Sequence, residues 1–314
     1  MNNTNANIAL ILPAYNEEKT IKDTILSFFK ELPKANIVVI DNNSSDKTSL
    51  IVKEVFKEFD INGTLLHENR QGKGNAVRLA FNKIDADVYI MADADMTYPA
   101  NEVHKLISSI LENNVDMCVG DRLSLGDYKK ENSRAFHNFG NTLVQKLVNK
   151  LFKANITDIM SGYRAFSKKF VKNYPILVEG FELETDMTLH ALDKRFKIEE
   201  VSISYKDRPE GSFSKLNTFN DGFKVIFTIF QIFRYYRPFV FFFCLTIIFA
   251  LLSLISAIPV FDDWLTYKYI YHVPLAILAT GLGLISIIFF ALGIILDSIA
   301  HNNKLEFEQR ILDF

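Results

Sequence analysis

The sequence predicts an α/β domain with a mostly parallel sheet, followed by two C-terminal transmembrane α-helices. Two patterns carry that prediction. From Ile8 to Val119, short apolar runs alternate with segments of helical periodicity, the rhythm of strand–helix–strand units with helices on both faces of a sheet. From Pro238 onward charge nearly vanishes, and Phe, Ile and Leu take over. A length of 314 residues suits about two such units. The net charge of −2 hides this asymmetry and argues against a nucleic-acid partner. Cys118 and Cys244 are the only cysteines, too few for a disulfide framework and suited to a reducing compartment.

Each element has its own signal. Ile8 to Leu12 is a continuous apolar run, as expected of a strand buried on both faces, and it ends at Pro13. Ile21, Ile25, Phe28, Phe29 and Leu32 then recur at helical intervals. Ile37 to Ile40 is a second strand, ending in Asp41. Ser44, Ser45 and Asp46 offer N-caps to a helix with Ile51, Val52, Val55, Phe56 and Phe59 on one side. Thr64 to Leu66 reads as a third strand and Asn75 to Ile84 as a third helix. Val88 to Met91 is a fourth strand running into Asp93. Pro99 opens the first turn of a helix carrying Val103, Leu106, Ile107 and Leu111. Met117 to Val119 is a fifth strand, ending at Asp121-Arg122.

The membrane segments follow from length. Phe239 to Val260 is uncharged for about 22 residues and Val273 to Leu296 for about 24, against the ~20 needed to span the hydrocarbon core. A helical hairpin buried in a soluble core would show a polar face, and neither segment has one. Arg234 and Arg237 precede the first span, and His301 and Lys304 follow the second. The loop between carries Asp262 and Asp263 against Lys268, so both termini are expected on the cytosolic side. Trp264, Tyr267, Tyr269 and Tyr271 read as an aromatic belt on the opposite face. The N-terminus has no basic region and only about five apolar residues before Pro13, so no signal peptide is expected.

Two further stretches read as interfacial. Phe136, Phe139, Leu143, Leu147 and Leu151 share one side of a helix near 134–153, with Lys146, Lys150 and Lys153 elsewhere. Phe223 to Tyr236 is Phe-rich, with Lys224, Arg234 and Arg237 near its ends. Either could instead pack on the domain core; adjacent membrane spans favour the interface. The expected organisation is a cytosolic domain over 1–217, an amphipathic juxtamembrane helix over 218–237, two spans within 238–300 and a cytosolic tail over 301–314. That describes a multi-pass protein of the cytoplasmic membrane.

In open α/β sheets, ligands bind beyond the carboxyl ends of the strands, and polar residues collect there: Asn16, Glu17, Asp41, Asp93, Asp95, Asp121 and Arg122. Asp93-Ala94-Asp95 presents two hard oxygen donors, a pair that suits Mg²⁺ or Mn²⁺ taking its other ligands from substrate phosphates. An Asp-rich solvated turn is the plain alternative. The turn after the first strand reads Pro13-Ala14-Tyr15-Asn16-Glu17 in place of G-x-G-x-x-G, which disfavours hydride transfer on a dinucleotide. A G-x-x-x-x-G-K-[ST] loop is also absent. Gln71-Gly72-Lys73-Gly74-Asn75 reads as an anion cradle or an ordinary Gly-rich loop before a helix N-terminus.

Taken together, the strand–Pro-Ala-Tyr-Asn-Glu start, Asp41, Gly72-Lys73-Gly74 and Asp93-Ala94-Asp95 resemble the inverting family 2 glycosyltransferases of the GT-A fold, from about Ile8 to Lys215. That resemblance implies that Pro13, Ala14, Tyr15, Glu17, Asp41, Gly72, Lys73 and Ala94 hold the nucleotide sugar, with Asp93 and Asp95 on the metal and through it the diphosphate. Asp158-Ile-Met-Ser-Gly162-Tyr163-Arg164 and Arg208-Pro-Glu-Gly211-Ser-Phe-Ser214-Lys215, followed by two spans, resemble the polyprenyl-phosphate and dolichyl-phosphate glycosyltransferases. In that subfamily Arg122 and Arg134 match arginines on the lipid phosphate, and Asn138 sits where a small polar residue assists. A phosphate acceptor suits guanidinium groups, which pair with its oxygens bidentately. Arg164, Glu184, Arg208 and Lys215 are further candidates.

The expected reaction moves a sugar, with inversion, from a nucleotide diphosphate donor to polyprenyl phosphate. A UDP donor, UDP-glucose or a UDP-N-acetylhexosamine, is expected, because Asp41 suits uracil by family analogy. Asp158 ranks first among the remaining carboxylates, as base, sugar-binding group or scaffold. Undecaprenyl and dolichyl phosphate present the same phosphate, and the sugar is not set by the sequence. A homo-oligomer is compatible with these features. Transfer to a saccharide is the alternative, but synthases of that kind carry Gln-x-x-Arg-Trp, and the only tryptophan here is Trp264. A sensor that binds nucleotide sugars without turnover is a second alternative.

Overall fold

The computed structural model describes residues 6–124, 135–180, 182–205 and 230–312, with the backbone alone over 135–141. The chain forms two compact units, Met1–Gly222 and Phe223–Phe314.

The first unit is built on a seven-stranded mixed sheet. Its strands are β1 (Ile8–Ala14), β2 (Asn36–Asp41), β3 (Gly63–His67), β4 (Val88–Met91), β5 (Met117–Asp121), β6 (Arg164–Ser167) and β7 (Ile198–Ser202), in the order β3-β2-β1-β4-β6-β5-β7. β1 pairs in parallel with β2 and β4, β2 with β3, and β5 with β7. The apolar runs of β1, β2 and β4 are buried because helices cover both faces of the sheet. Between the strands lie α1 (Ile21–Glu31), α2 (Thr48–Glu58), α3 (Lys73–Lys83) and α4 (Val103–Leu111), then α5 (Ala135–Phe152), α6 (Lys168–Asn173) and α7 (Leu183–Asp193). α1 buries Ile21, Thr24, Ile25 and Phe28 on one stripe, and each apolar side chain so removed from water contributes about 1.5–3 kcal/mol.

β6 is one of the two strands the sequence reading omits, with β7. It runs antiparallel between β4 and β5, with Arg164 opposite both Met91 and Val119. A strand entering the sheet in reverse starts where its neighbours end. The loop 158–163 before it is therefore delivered to the carboxyl ends of β4 and β5, beside Asp93 and Arg122.

Two local expectations change in detail. Pro99 is extended and stands before a 3₁₀ turn, Ala100–Glu102, that leads into α4. At α2, Asp46, one of the three expected caps, accepts from Thr48 N at 3.0 Å. α5 forms where a helix is expected, but among its described side chains the buried ones are Val144 and Val148, while Leu143 is 41% exposed.

In the second unit residues 230–236 are helical, followed by α8 (Pro238–Tyr267) and α9 (Val273–Leu312). Both long helices are long and apolar enough to cross a membrane. At 30 and 40 residues they extend to roughly 45 and 60 Å, well beyond the ~30 Å hydrocarbon core. Both outrun the expected spans, α8 through the aromatic segment and α9 through the expected tail. They pack on each other through small residues. Ser253 Oγ donates to Ala279 O at 2.7 Å and Ser286 Oγ to Thr246 O at 3.0 Å, so these hydroxyls are satisfied without water. Ala279, Ser286 and Gly293 are buried at seven-residue spacing, the repeat of a left-handed helix pair. Beyond that seam, large apolar side chains such as Leu254, Ile258, Ile277 and Ile287 are more than half exposed.

Candidate active site

The site lies at the carboxyl ends of β1, β2, β4 and β5. The first two loops are fastened to each other. Asn16 N donates to Ser44 Oγ at 3.0 Å, Glu17 N to Thr48 Oγ1 at 2.9 Å and Glu18 N to Asp46 Oδ2 at 3.1 Å. Asn16 Oδ1 accepts from Ser45 N at 2.8 Å in return. Asn16 adopts a left-handed φ of 52°, a conformation asparagine tolerates better than most residues. Pro13, Ala14, Tyr15 and Glu17 thereby stand beside Asp41, which lies opposite Ala14 in the β1–β2 register. Ser44 N and the Ser49 hydroxyl both donate to the Asp41 carboxylate, and His67 at the end of β3 lies 3.4 Å away. Burial pushes that carboxyl up, but the Ser44 and Ser49 bonds and His67 outweigh it and hold it below the usual carboxylate range.

Asp93, Ala94 and Asp95 form the turn after β4. Two threonines, Thr20 just before α1 and Thr24 within it, hold it: Thr20 Oγ1 and Thr24 Oγ1 donate to Ala94 O at 2.9 and 3.1 Å. Asp95 is 3% exposed and accepts from Thr97 N and Thr97 Oγ1, a bend closed by Met96 at φ 66°. Asp93 stands more open, its side chain 30% exposed. Lys73 Nζ lies 2.5 Å from Asp93 Oδ1 and 2.5 Å from Glu184 Oε1 on α7. Burial alone would lower the pKa of that ammonium, but Asp93 and Glu184 reverse the effect and raise it.

The glycines around Lys73 serve a neighbour within the chain. Gly72 has φ 133°, and a Cβ there would come within 2.1 Å of Glu179 O; at Gly74 it would come within 2.1 Å of Val178 O. Gly74 N already donates to Glu179 O at 2.9 Å. The close backbone approach that the glycines permit is thus to the 178–179 segment, and the loop aims its lysine, not a cradle of amides, at Asp93. Asn42 sets the loop's height, accepting from Gly72 N at 2.7 Å and donating to Arg70 O at 2.8 Å.

On the other side of Asp93, Arg122 follows the last residue of β5. Its Nε and Nη2 donate to the two Asp158 oxygens at 2.7 and 2.9 Å, and its own amide also donates to Asp158. Tyr98 joins this pair to the Asp93 side, accepting from Gly162 N at 2.8 Å and lying 3.5 Å from Arg122 Nη1. Burial pushes the Tyr98 phenol well above its ordinary pKa, so it stays a neutral donor and acceptor. Glu200 of β7 accepts from the amides of Thr157 and Asp158, which fixes where Asp158 starts. Burial raises the Glu200 pKa.

Of the expected residues, Pro13, Ala14, Tyr15, Glu17, Asp41, Gly72, Lys73, Asp93, Ala94, Asp95, Arg122, Asp158 and Glu184 gather on this edge. Arg164 is fully buried, its donors taken by Ser161 O, Ile159 O and Thr188 Oγ1, so it clamps the 158–163 loop from beneath. Arg134, Arg208 and Lys215 lie outside the described residues, as does the side chain of Asn138. Sequence reasoning passed over Asn42, His67, Tyr98 and Glu200. Tyr98 alone had a local signal, being three residues past Asp95 and just before Pro99.

The carboxylates suit a divalent cation completed by substrate oxygens. Among the described residues there is no cluster of three or more protein ligands. The hard oxygens of Asp93 and Asp95 fit Mg²⁺ or Mn²⁺, which take part of their shell from phosphates and water. Gly162 lets the 158–163 loop approach Asp93 closely, since a Cβ on it would sit 3.0 Å from Asp93 Oδ2.

The model of glycosyl transferase family 2 matches residues 9–174, more than half of the chain. The chain belongs to glycosyl transferase family 2. Curated relatives of this glycosyltransferase include glycosyltransferase AglJ of Haloferax volcanii, 30% identical over 68% of this chain and 68% of that protein. UDP-N-acetylglucosamine–dolichyl-phosphate N-acetylglucosaminyltransferase of Methanococcus voltae is 27% identical over 71% of this chain and 94% of its own. Among solved structures, glucosyl-3-phosphoglycerate synthase of Mycobacterium tuberculosis bound to UDP matches with a TM-score of 0.56 at 17% identity, over 72% of this chain and 80% of that one. Its complex with Mn²⁺ and UDP-glucose matches at 0.50 and 19%, over 66% and 73%. At those identities the likeness is one of fold, and the fold of this transferase is GT-A.

Proposed function

We propose that this glycosyltransferase moves a sugar from a UDP-linked donor to polyprenyl phosphate in a membrane that its two long helices cross. The observation that carries the reading is the helical hairpin whose outer faces are apolar and exposed, joined to a sugar-transfer domain. An enzyme anchored in this way meets acceptors embedded in lipid, and a relative named for dolichyl phosphate supports the same class. The exposed Leu143 on α5 supports an interfacial position for that helix.

The roles follow from charge and geometry. The fastened loops at Tyr15–Glu17 and Asp41 hold base and ribose. Asp93 and Asp95 hold Mg²⁺ or Mn²⁺, which when bound neutralises charge growing on the leaving diphosphate. Arg122 receives the acceptor phosphate, with Arg134 and Asn138 as further partners. A phosphate monoester has its second pKa near about 6, so at neutral pH it is already a dianion and needs little general-base help. Asp158, engaged on both oxygens by Arg122, therefore positions the guanidinium and does not serve as base. In-line attack by the phosphate oxygen inverts the anomeric centre.

Membranes holding the protein, incubated with labelled nucleotide sugars, a polyprenyl phosphate and Mg²⁺ or Mn²⁺, should yield organic-extractable label. EDTA should abolish it. Donor binding without extractable label from any sugar would overturn the reading, and label on a water-soluble glycan would point to a saccharide acceptor.

A further inference from the structure

We propose that Lys73 is a built-in counter-cation that competes with a divalent metal for Asp93, with Glu184 as its second berth. The inference rests on the metal-nucleotide reading of Asp93 and Asp95 and adds an order to it: nucleotide diphosphate and metal bind tightly together, and metal alone binds poorly.

Three observations carry it. Lys73 Nζ contacts Asp93 Oδ1 and Glu184 Oε1 at 2.5 Å each, so one ammonium bridges two carboxylates from different elements. The lysine and Glu184 side chains are only 10% and 8% exposed, against 30% for Asp93, so the attraction is poorly screened on the inner side. The glycine rim keeps this bridge in place. A Cβ on Gly162 would stand 3.0 Å from Lys73 Nζ and 3.0 Å from Asp93 Oδ2, so the two groups occupy the room that Gly162 leaves.

The electrostatics then fix the sequence of events. A dication approaching Asp93 meets a positive charge already on one of its oxygens, and the repulsion lowers its affinity. A diphosphate supplies negative charge that the ammonium and the dication can share. Glu184 makes the exchange inexpensive, because Lys73 keeps one buried carboxylate when it gives up Asp93. Without Glu184 the ammonium would rest wholly on Asp93 and oppose the metal more strongly. Glu184 is thus a positioning residue that acts through Lys73.

The test is Mn²⁺ affinity, read by electron paramagnetic resonance on the full chain in detergent, with and without UDP. Lys73→Met should bind Mn²⁺ alone roughly tenfold more tightly than wild type, the size expected from removing one nearby charge in a partly buried site. With UDP present that gain should disappear. Glu184→Gln should bind Mn²⁺ alone more weakly, the opposite sign. The Lys73→Met/Glu184→Gln double variant should bind Mn²⁺ alone more tightly than Glu184→Gln, because removing the lysine relieves the repulsion whatever attraction Glu184 itself adds. The double variant removes the buried lysine together with its buried partner, so it supplies a second measurement if Lys73→Met fails to fold. Unchanged or weaker Mn²⁺ binding in both lysine variants would overturn the proposal while leaving the metal site standing. Failure of the wild type to bind Mn²⁺ even with UDP would instead overturn the metal-nucleotide reading, and this inference with it.

Discussion

The pairing of Arg122 with Asp158 shows how a single contact redistributes roles. Arg122 is identifiable as a polar group at a strand end and Asp158 through the motif it opens, and either alone could touch substrate. Joined through Nε and Nη2, they become one object whose orientation is fixed by Asp158, and Asp158 is fixed in turn by the Glu200 carboxylate on its amide. Asp158→Asn should cost about 3 kcal/mol, because it leaves a largely buried guanidinium without its countercharge. For a domain of this size that lowers the melting temperature by roughly 6–12 °C. The KM for polyprenyl phosphate should rise more than kcat falls, since the acceptor's partner is misplaced. A fall in kcat alone, with the melting temperature unchanged, would show that Asp158 is the base after all.

At the scale of elements, the reversed strand β6 does most to assemble the site. Its direction carries the 158–163 loop to the edge where β4 and β5 end, so Gly162 faces Asp93 and Lys73 while Asp158 faces Arg122. Arg164, first residue of that strand, is spent inside the protein to hold the loop. Gly162→Ala tests this placement. The atoms nearest the added methyl are the ends of two side chains, so the fold should survive with the melting temperature lowered by only a few degrees. Displacing Asp93 and Lys73 by a few tenths of an ångström should still reduce kcat/KM for the donor by roughly tenfold or more. Full donor affinity and turnover in Gly162→Ala would mean that the loop does not abut the reacting groups.

For the whole molecule, the decisive contrast is between a unit that buries its apolar residues and a unit that displays them. α8 and α9 seal their polar hydroxyls against each other and leave the rest of their surface apolar, which is stable only in an apolar solvent. The proposed hairpin topology predicts that Lys268 and Asn303 lie on opposite sides of the bilayer. Single cysteines at those positions, in a Cys244→Ala background, should react with an impermeant maleimide from opposite faces of sealed vesicles. Cys118 is buried and will stay silent. Labelling of both sites from one face would overturn the two-span arrangement.

The sequence by itself determined the five apolar strands with their intervening helices, the carboxylates at the strand ends and the two long apolar helices. All of these depend on local pattern: continuous apolar runs for strands buried on both faces, helical spacing between them, and span length for a bilayer. β6 and β7 escaped because Arg-Ala-Phe-Ser is short and opens on a charge, while the half-buried Ile-Glu-Glu-Val-Ser carries two acids. α5 was found, but which of its faces is buried was not, because helical spacing allowed more than one stripe. Tertiary structure alone decided the partners. Glu184 is 111 residues from Lys73, Asp158 is 36 from Arg122, and Gly162 is 64 from Tyr98. No local pattern specifies contacts across such separations, because they are set by strand order and direction in the sheet. That is why Asp93-Ala94-Asp95 could be read from the chain, and the lysine that shares Asp93 could be read only from the fold.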